Sequence, residues 1–317
     1  MDMIILDPIF RDALVYAGLL TLISTGLTLT YMTTKVPNFA HGSFATIGVY
    51  TTLTLSKVWL VNPYYSLPIA FVIGGVAAYV QYRLILRPLM GRGASLISLM
   101  IATVALDLLL LAIYNIYADH LARVYKVTSR YFILKGLDFI FAGQPFIFTA
   151  TIILVILLVI TLHLALTRTK FGTAMRATIE NPPLASVIGV NVNLIYGVSW
   201  FVAGGLAGVA GALLPLWFQS NPDVGPTMLP SIFAASIAGG FFNIYGAVLG
   251  GYLVGITEIV GTSYLALWLG VWIIPYRFIF PLLIMIITLL IAPRGLTGIN
   301  WLTVLNAIRV RRYGPSD

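Results

Sequence analysis

The chain has 317 residues, of which 60% are hydrophobic and only 9% are charged, and its mean hydropathy is +0.99. A soluble domain carries about 25% charged residues, so this composition excludes a water-soluble fold. The net charge is +8, but the basic residues cluster at the ends of apolar runs, which indicates membrane topology rather than nucleic-acid binding. The absence of cysteine excludes disulfides, Cys-ligated zinc and a thiol nucleophile.

Long apolar runs predict an all-α bundle of transmembrane helices, because a spanning helix needs about 20 mostly apolar residues. The first run lacks a basic leader, so we expect it to be retained as a helix. We predict a single transmembrane domain, 1–317, with about nine spans and a range of about 8–10. The predicted spans are 13–32, 41–60, 67–86, 94–117, 145–167, 193–216, 229–241, 246–262 and 277–293.

The loops between the spans predict the orientation. With nine spans and an internal C-terminus, the larger share of the Lys and Arg residues lies on one side, which the positive-inside rule places in the cytoplasm. The loop 168–192 and the tail 294–317 are then cytoplasmic, and the loop 118–144 is extracytoplasmic. The β-like composition of Tyr125–Leu134 predicts a small hairpin within that outer loop.

The loop 168–192 has apolar or small residues at helical spacing, namely Phe171, Ala174, Met175 and Thr178. This spacing predicts a short amphipathic helix on the cytosolic face. Asn181–Pro182 ends that helix and is suited to begin another, with Asn as N-cap and Pro in the first turn. The residues alone leave two roles open: docking into a groove of a partner protein, or resting on lipid headgroups.

Polar residues interrupt two of the apolar runs. Asn38 and His41 lie at the start of the second span, and two interpretations stay open there. One is a broken helix that lines a solute path, and the other is a cytosolic turn in which Asn38 caps the next helix. The segment Gly239–Gly246 is a second Gly-rich, polar interruption, suited to a helix break or a re-entrant segment.

Two acidic residues lie within predicted spans. A charge at the bilayer centre costs about 2.5–3.5 kcal/mol on insertion scales. We therefore expect Asp107 to face the bundle interior and to pair with an Asn, Thr or Arg of a neighbouring helix, with a substrate ammonium as the alternative partner. Glu258 lies nearer a span end, where it either pairs in the same way or reaches water.

Small residues recur on two predicted helices and favour close helix packing, because lipid offers no hydrophobic drive for helix association. The glycines concerned are Gly204, Gly208, Gly211, Gly246, Gly250, Gly251 and Gly255. Catalytic clusters, metal-ligand spacings and a G-x-x-x-x-G-K-[ST] phosphate loop are absent from the sequence. We therefore expect no enzymatic activity, no metal and no cofactor in this chain.

Several short motifs occur together in a characteristic order. They are Asn38–Phe39–Ala40–His41–Gly42 with Gly48–Val49–Tyr50, Arg87–Pro88–Leu89 with Arg92, the segment 169–185, Gly189–Val190–Asn191–Val192, Ala238–Gly239–Gly240 with Gly246–Ala247, Gly250–Gly251 with Glu258, and Pro293–Arg294–Gly295–Leu296. In this order the chain resembles the H-type permease subunit of ATP-binding cassette (ABC) importers for branched-chain amino acids. It departs from that family at Phe241–Phe242–Asn243, where a small pair is usual.

The resemblance implies a type II-like importer fold in a prokaryotic cell membrane. It implies two cytoplasmic ABC ATPases, a second permease subunit (M-type or a second copy of this chain) and an extracytoplasmic substrate-binding protein. The expected solute is a branched-chain amino acid or a related small polar compound such as urea or an amide. The alternative is an ion-coupled secondary transporter that works without an ATPase. A scaffolding membrane subunit that transports nothing is a third hypothesis.

The resemblance also implies site residues. The expected ATPase-coupling residues are Phe171, Gly172, Met175, Arg176, Ala177, Glu180 and Asn181. The interrupted spans and the charge within a span, rather than the resemblance alone, give the expected substrate path, which includes Asn38, His41, Gly42, Asp107, Phe241 and Asn243.

Overall fold

A computed structural model describes residues 7–293 and 295–298, and most of them are helical. Apart from 295–298, the predicted tail 294–317 lies outside the described residues. The helices are α1 (Pro8–Thr34), α2 (His41–Lys57), α3 (Ser66–Gln81), α4 (Arg87–Gly91), α5 (Leu96–Val124), α6 (Phe146–Arg168), α7 (Lys170–Glu180), α8 (Pro182–Val187), α9 (Val192–Leu213), α10 (Val224–Thr227), α11 (Leu229–Gly239), α12 (Ile244–Leu269) and α13 (Ile279–Ile291). A π-helical turn, Tyr82–Leu86, joins α3 to α4.

Each of the nine predicted spans coincides with a helix, which confirms the predicted helical bundle. Within the described residues, seven helical segments are long and apolar enough to cross a membrane. They contain α1, α3 with α4, α5, α6, α9, α12 and α13. The other two predicted spans are shorter, because α2 has 17 residues and α11 has 11. At 1.5 Å per residue α11 is about 16 Å long, roughly half the hydrocarbon thickness.

The centre of the bundle is formed by α1 and α9. Helix α1 packs against α12, α9 and α11, and α9 packs against α3, α2 and α1. Small residues allow this close approach: a Cβ atom added at Gly204 would overlap the Gly74 carbonyl, and one added at Gly208 would overlap the Ala70 carbonyl. Backbones that approach this closely gain van der Waals contact, which is the main drive for helix association in lipid.

Helix α2 begins inside the bundle rather than at its end. The His41 ring Nε2 lies 2.9 Å from the carbonyl oxygen of Ile23, which is eleven residues before the last residue of α1. At 1.5 Å per residue this point lies about 16 Å from the end of α1. Residues 35–40 therefore run back into the bundle as non-helical backbone. This geometry rules out the cytosolic turn and leaves a discontinuous second span.

A second discontinuous segment meets the first one inside the bundle. Residues 217–228 enter from the opposite end, and the Gly225 amide donates a hydrogen bond to Thr46 Oγ1 at 3.1 Å. A Cβ atom at Gly42 would overlap the Gly225 carbonyl, so only glycine permits this contact. The starts of α2 and of α10–α11 therefore touch at mid-depth, and both helices are short for this reason.

The predicted hairpin exists, but its predicted position was wrong. Strands β1 (Ile140–Phe141) and β2 (Gln144–Pro145) pair antiparallel around Ala142–Gly143, whose φ angles of 50° and 77° suit a two-residue hairpin turn. Helix α5 continues to Val124 and shortens the loop. Within the predicted segment, Phe132 instead pairs with Ser220, a distant residue that local composition does not reveal.

Candidate functional site

Asn38 lies in the non-helical start of the second span and is fully buried. Its Oδ1 accepts hydrogen bonds from the Ala40 amide at 3.2 Å and from Gln81 Nε2 at 2.8 Å. The residue that caps α2 is Ala40, so the capping role considered for Asn38 was wrong. Asn38 instead closes a turn and links the discontinuous span to α3.

Several polar atoms at this junction have no hydrogen-bond partner in the described part of the chain. They are Asn38 Nδ2, His41 Nδ1 and Gln81 Oε1. The three side chains are at most 2% exposed. An unsatisfied buried polar group costs about 1–3 kcal/mol. Among the described residues, these buried polar atoms make no hydrogen bond that stabilises the helix packing. They therefore mark a position where the chain keeps polar side chains that packing alone does not require.

Asp107 is half-buried on α5, and its partner is the hydroxyl of Ser43, which donates a hydrogen bond to Oδ1 at 2.5 Å. Ser43 belongs to α2, so the expected pairing with a neighbouring helix is present, but the partner is none of the residue types that we expected. The Tyr114 hydroxyl donates to the Ser43 carbonyl at 2.8 Å. Polar side chains therefore hold α5 to the first turn of α2, close to the buried junction.

The interruption between α11 and α12 forms an aromatic cluster. Phe241 stacks on Tyr31 with 4.3 Å between ring centroids, and the Lys35 ammonium lies 4.5 Å from the centroid of Phe242. Asn243 caps α12 by accepting a hydrogen bond from the Tyr245 amide at 3.0 Å. The side chain of Asn243 is thus engaged in a helix cap, which is a structural role.

Helix α7 is anchored to the bundle by its apolar face. Met175 is 1% exposed and clusters with Leu29, Ile195 and Ile244, which belong to α1, α9 and α12. A Cβ atom at Gly172 would overlap the Leu166 carbonyl, so glycine allows α7 to fold back on α6. The helix predicted from spacing is present, but its most deeply buried apolar residue contacts this chain rather than a partner.

Two residues expected to couple to an ATPase differ in their surroundings. The Arg176 guanidinium donates a hydrogen bond to the Leu166 carbonyl, so it helps to hold α7 against α6. Glu180 is exposed at the end of α7. Asn181 caps α8 as predicted, accepting a hydrogen bond from the Leu184 amide at 3.0 Å. Phe171 and Ala177 are partly buried.

The exposed apolar surface of this loop lies on and directly after α8. Leu184, Val187 and Ile188 are 59%, 84% and 68% exposed. Sequence reasoning missed them because the amphipathic spacing of α7 drew attention to the preceding helix. The available signal was the apolar composition of 184–188, directly after Asn181–Pro182–Pro183.

Glu258 is fully buried, so the expectation that it reaches water was wrong. Helix α12 extends to Leu269, beyond the predicted end of the span, and this places Glu258 inside the bundle. The Tyr16 hydroxyl donates to Glu258 Oε1 at 3.0 Å, and Arg277 Nε lies 3.4 Å from the same oxygen. These two contacts join α1, α12 and the segment before α13.

Four cavities formed by the described residues show where the expected path residues lie relative to open space. The main cavities formed by the described residues do not have Asn38, His41 or Asp107 in their walls. Phe242 and Asn243 line a cavity of about 210 Å³ together with Met175 and Arg176. The structure thus brings the α11–α12 interruption next to α7.

Comparisons with known proteins agree on one family. The family model described as "Branched-chain amino acid transport system / permease component" matches residues 9–289. A protein of Methanocaldococcus jannaschii named "Probable branched-chain amino acid transport permease protein LivH" is 47% identical over 92% of this chain and 93% of its own length. The "High-affinity branched-chain amino acid transport system permease protein BraD" of Pseudomonas aeruginosa is 26% identical over 87% of this chain and 91% of its own length. The "High-affinity branched-chain amino acid transport system permease protein LivH" of Escherichia coli K12 is 25% identical over 87% of this chain and 90% of its own length.

No solved structure matches the chain significantly. The family match covers most of the chain, and its span includes α2 to α12 and nearly all of α1 and α13. The chain therefore belongs to the permease-component family of branched-chain amino acid transport systems.

Proposed function

We propose that this chain is the membrane-spanning subunit of an ABC importer for branched-chain amino acids, and that separate cytosolic ATPases bind its α7–α8 segment. Family membership supports the solute class, and the names of the relatives mention no other solute. The wider range of urea and amides thus finds no support in the comparisons. The proposal places α7–α8 and the C-terminus in the cytoplasm.

The exposed apolar residues of α8 carry the proposal. Leu184, Val187 and Ile188 protrude from a loop, where no membrane-spanning helix explains their exposure. Exposed apolar clusters of this kind mark contacts with proteins or membranes. A short helix that presents such residues is suited to a groove on a partner protein. A cytosolic ATPase is the partner that a chain without a phosphate loop requires for ATP-driven transport.

The anchoring of α7 explains how motion of an ATPase would reach the transport path. Met175 belongs to a buried cluster with one residue each from α1, α9 and α12. Close-packed interiors transmit displacement instead of absorbing it. A shift of α8 would therefore move α7 and, through Met175, three of the long helices together. In this coupling model, α8 contacts the ATPase and α7 transmits its displacement to the bundle.

The experiment compares one substitution at two ends of the bundle. The chain is co-expressed with the ATPase subunits of its transport system, purified through a tag on the chain, and assayed for co-purified ATPase. We expect Val187→Asp to remove the ATPase, because a buried contact would receive a charge. The matched control is Val124→Asp. Val124 is the last residue of α5, at the end of the bundle opposite α8, and it is also exposed, at 58%. That variant should keep its ATPase.

Retention of the ATPase by Val187→Asp would contradict the docking proposal, as would equal loss in both variants. Val187 is a better probe than Arg176, because Arg176 bonds to the chain itself and its replacement would disturb α7. ATP-independent uphill uptake by vesicles that contain only this polypeptide would favour the ion-coupled alternative and refute the importer.

The proposed assembly contains a second permease subunit, M-type or a second copy, and an extracytoplasmic binding protein. We place the solute path next to the buried junction of α2 with α10–α11, including Asn38, His41, Gly42 and Asp107. The unpartnered polar atoms at this junction support the placement, since discontinuous spans expose polar groups where solutes bind in other transporters. Gln81→Met should lower leucine uptake while leaving ATPase assembly intact. Unchanged uptake would exclude the junction from the path.

A further inference from the structure

A cavity of about 450 Å³ lies at the end of the bundle opposite α7–α8, between the end of α2 and the segment that follows α5. Its size falls within the range of about 300–1,000 Å³ that is common for small-molecule sites. Its walls are formed by Leu53, Lys57, Lys126, Val127, Thr128, Phe132, Ile133 and Leu134. None of these eight residues is acidic, and two of them are lysines.

Hydrogen bonds hold the walls of this cavity in place. The Phe132 amide donates to the Ser220 carbonyl at 3.1 Å, and the Ser220 amide donates back at 2.9 Å. The Leu134 amide donates to the Pro215 carbonyl at 2.6 Å. The Tyr50 hydroxyl of α2 donates to the Ser129 carbonyl at 2.8 Å. The segment is thus tied to α2 and to the end of α9, and the cavity is a built feature rather than a gap under a loose loop.

The cations of this region fall into two groups. Arg130 is paired with Asp119 at 2.8 Å, and the Lys135 ammonium lies 3.8 Å from the ring centroid of Trp217. Lys57 and Lys126, the two lysines in the cavity wall, form no ion pair among the described residues. Two ammonium groups at one cavity without a carboxylate attract an anion.

The floor of the cavity is apolar. Leu53, Leu134 and Phe132 are 1%, 2% and 7% exposed, so they close the floor, and Ile133 in the wall, at 51% exposed, offers apolar surface beside it. We propose that this cavity binds a small monocarboxylate with an apolar tail, with the carboxylate between Lys57 and Lys126 and the tail against Ile133. Hydrogen bonds from ammonium groups to a carboxylate are stronger than neutral ones.

The absence of an acidic wall residue sets the preference of this site. A leucine molecule has the carboxylate and the branched tail, but its ammonium group meets two lysines and no carboxylate. The same molecule without the ammonium, 4-methylpentanoate, keeps the carboxylate for the two lysines and the branched tail for Ile133. The site therefore prefers deaminated acids over amino acids, which separates it from the transport path of the proposed function.

The test measures binding of 4-methylpentanoate to the full chain in nanodiscs of zwitterionic lipid, by titration calorimetry with empty nanodiscs subtracted. We expect saturable binding that exceeds the binding of leucine. Lys57→Gln/Lys126→Gln should weaken it by about ten-fold or more, as expected for the loss of charged hydrogen bonds. Ile133→Asn, at a wall position that is 51% exposed, should weaken it through the tail. Arg123→Gln, an exposed cation of α5 outside the cavity, should not.

Two uncharged or tail-less ligands complete the design. The amide 4-methylpentanamide lacks the charge and acetate lacks the tail, so both should bind at least about ten-fold more weakly. Equal binding of the amide, unchanged binding by the double lysine variant, an equal effect of Arg123→Gln, or no saturable binding would each overturn the proposal. The assay contains no ATPase and no nucleotide, so its outcome is independent of the importer assignment.

Discussion

Removal of the Arg277 guanidinium should destabilise the bundle more than removal of the carboxylate with which it pairs. Glu258 has no exposed surface, whereas the Arg277 side chain is 30% exposed. In Arg277→Gln the carboxylate stays buried and keeps the Tyr16 hydroxyl at 3.0 Å. In Glu258→Gln the guanidinium is free to turn towards water. The two substitutions break the same contact with different consequences.

The size of the effect follows from this asymmetry. Loss of one partner of a fully buried ion pair costs about 3–5 kcal/mol. Because Arg277 is nearly a third exposed and Tyr16 remains, we expect about 2 kcal/mol for Arg277→Gln. For Glu258→Gln we expect about 1 kcal/mol, the value of an ordinary hydrogen bond. The double variant should be more stable than Arg277→Gln alone, since it leaves no buried charge.

The assay is thermal unfolding of the purified chain in detergent, followed by tryptophan fluorescence. For chains of about 150–250 residues, 1 kcal/mol corresponds to roughly 2–4 °C, so Arg277→Gln should lower the melting temperature by several degrees. Arg123→Gln, on the exposed end of α5, is the control and should leave it unchanged. A Glu258→Gln variant that melts at or below the temperature of Arg277→Gln would refute the reasoning.

Three further predictions concern helix packing, a helix cap and coupling. Gly48→Ala would push a methyl group into the Gly208 carbonyl of α9 and should lower stability by about 1–3 kcal/mol through overpacking. Its control in the same melting assay is Gly136→Ala, where the added methyl group meets open space. An equal effect of the two substitutions would contradict close packing of α2 on α9. Asn243→Ala removes the cap of α12 and should lower stability by about 1 kcal/mol, measured in the same way; an unchanged melting temperature would show that the cap contributes nothing. Met175→Ala should lower leucine uptake in the reconstituted importer more than it lowers ATP hydrolysis, because it loosens α7 from α1, α9 and α12 while leaving α8 exposed. A proportional loss of uptake and hydrolysis would argue against the coupling model.

The packing role predicted for the glycines of α9 and α12 remains a prediction, although the geometry supports it. A Cβ atom at Gly211 would overlap the Ala45 carbonyl, and one at Gly250 would overlap the Ala235 carbonyl. Sequence spacing indicated the faces but not the partners. The partner helices, α2 and α11, follow from the tertiary structure, because a row of small residues suits any helix that approaches it.

Features that depend on neighbouring residues in the chain could be predicted from the sequence. The low charge content required a bundle solvated by lipid, and long apolar runs predicted nine spans, each of which coincides with a helix. The helical spacing of Phe171 to Thr178 predicted α7, and Asn181–Pro182 predicted the start of α8. Periodicity and caps act within a few residues, so a single sequence carries these signals.

Features that depend on distant residues were decided by the tertiary structure alone. The depth at which α2 begins follows from contacts of His41 with Ile23 and of Gly42 with Gly225. The burial of Glu258 depends on Tyr16 and Arg277, and the orientation of α7 depends on the cluster around Met175. In each case the hydrophobic pattern identifies a face without naming what covers it, because burial and pairing are properties of residues far apart in the chain.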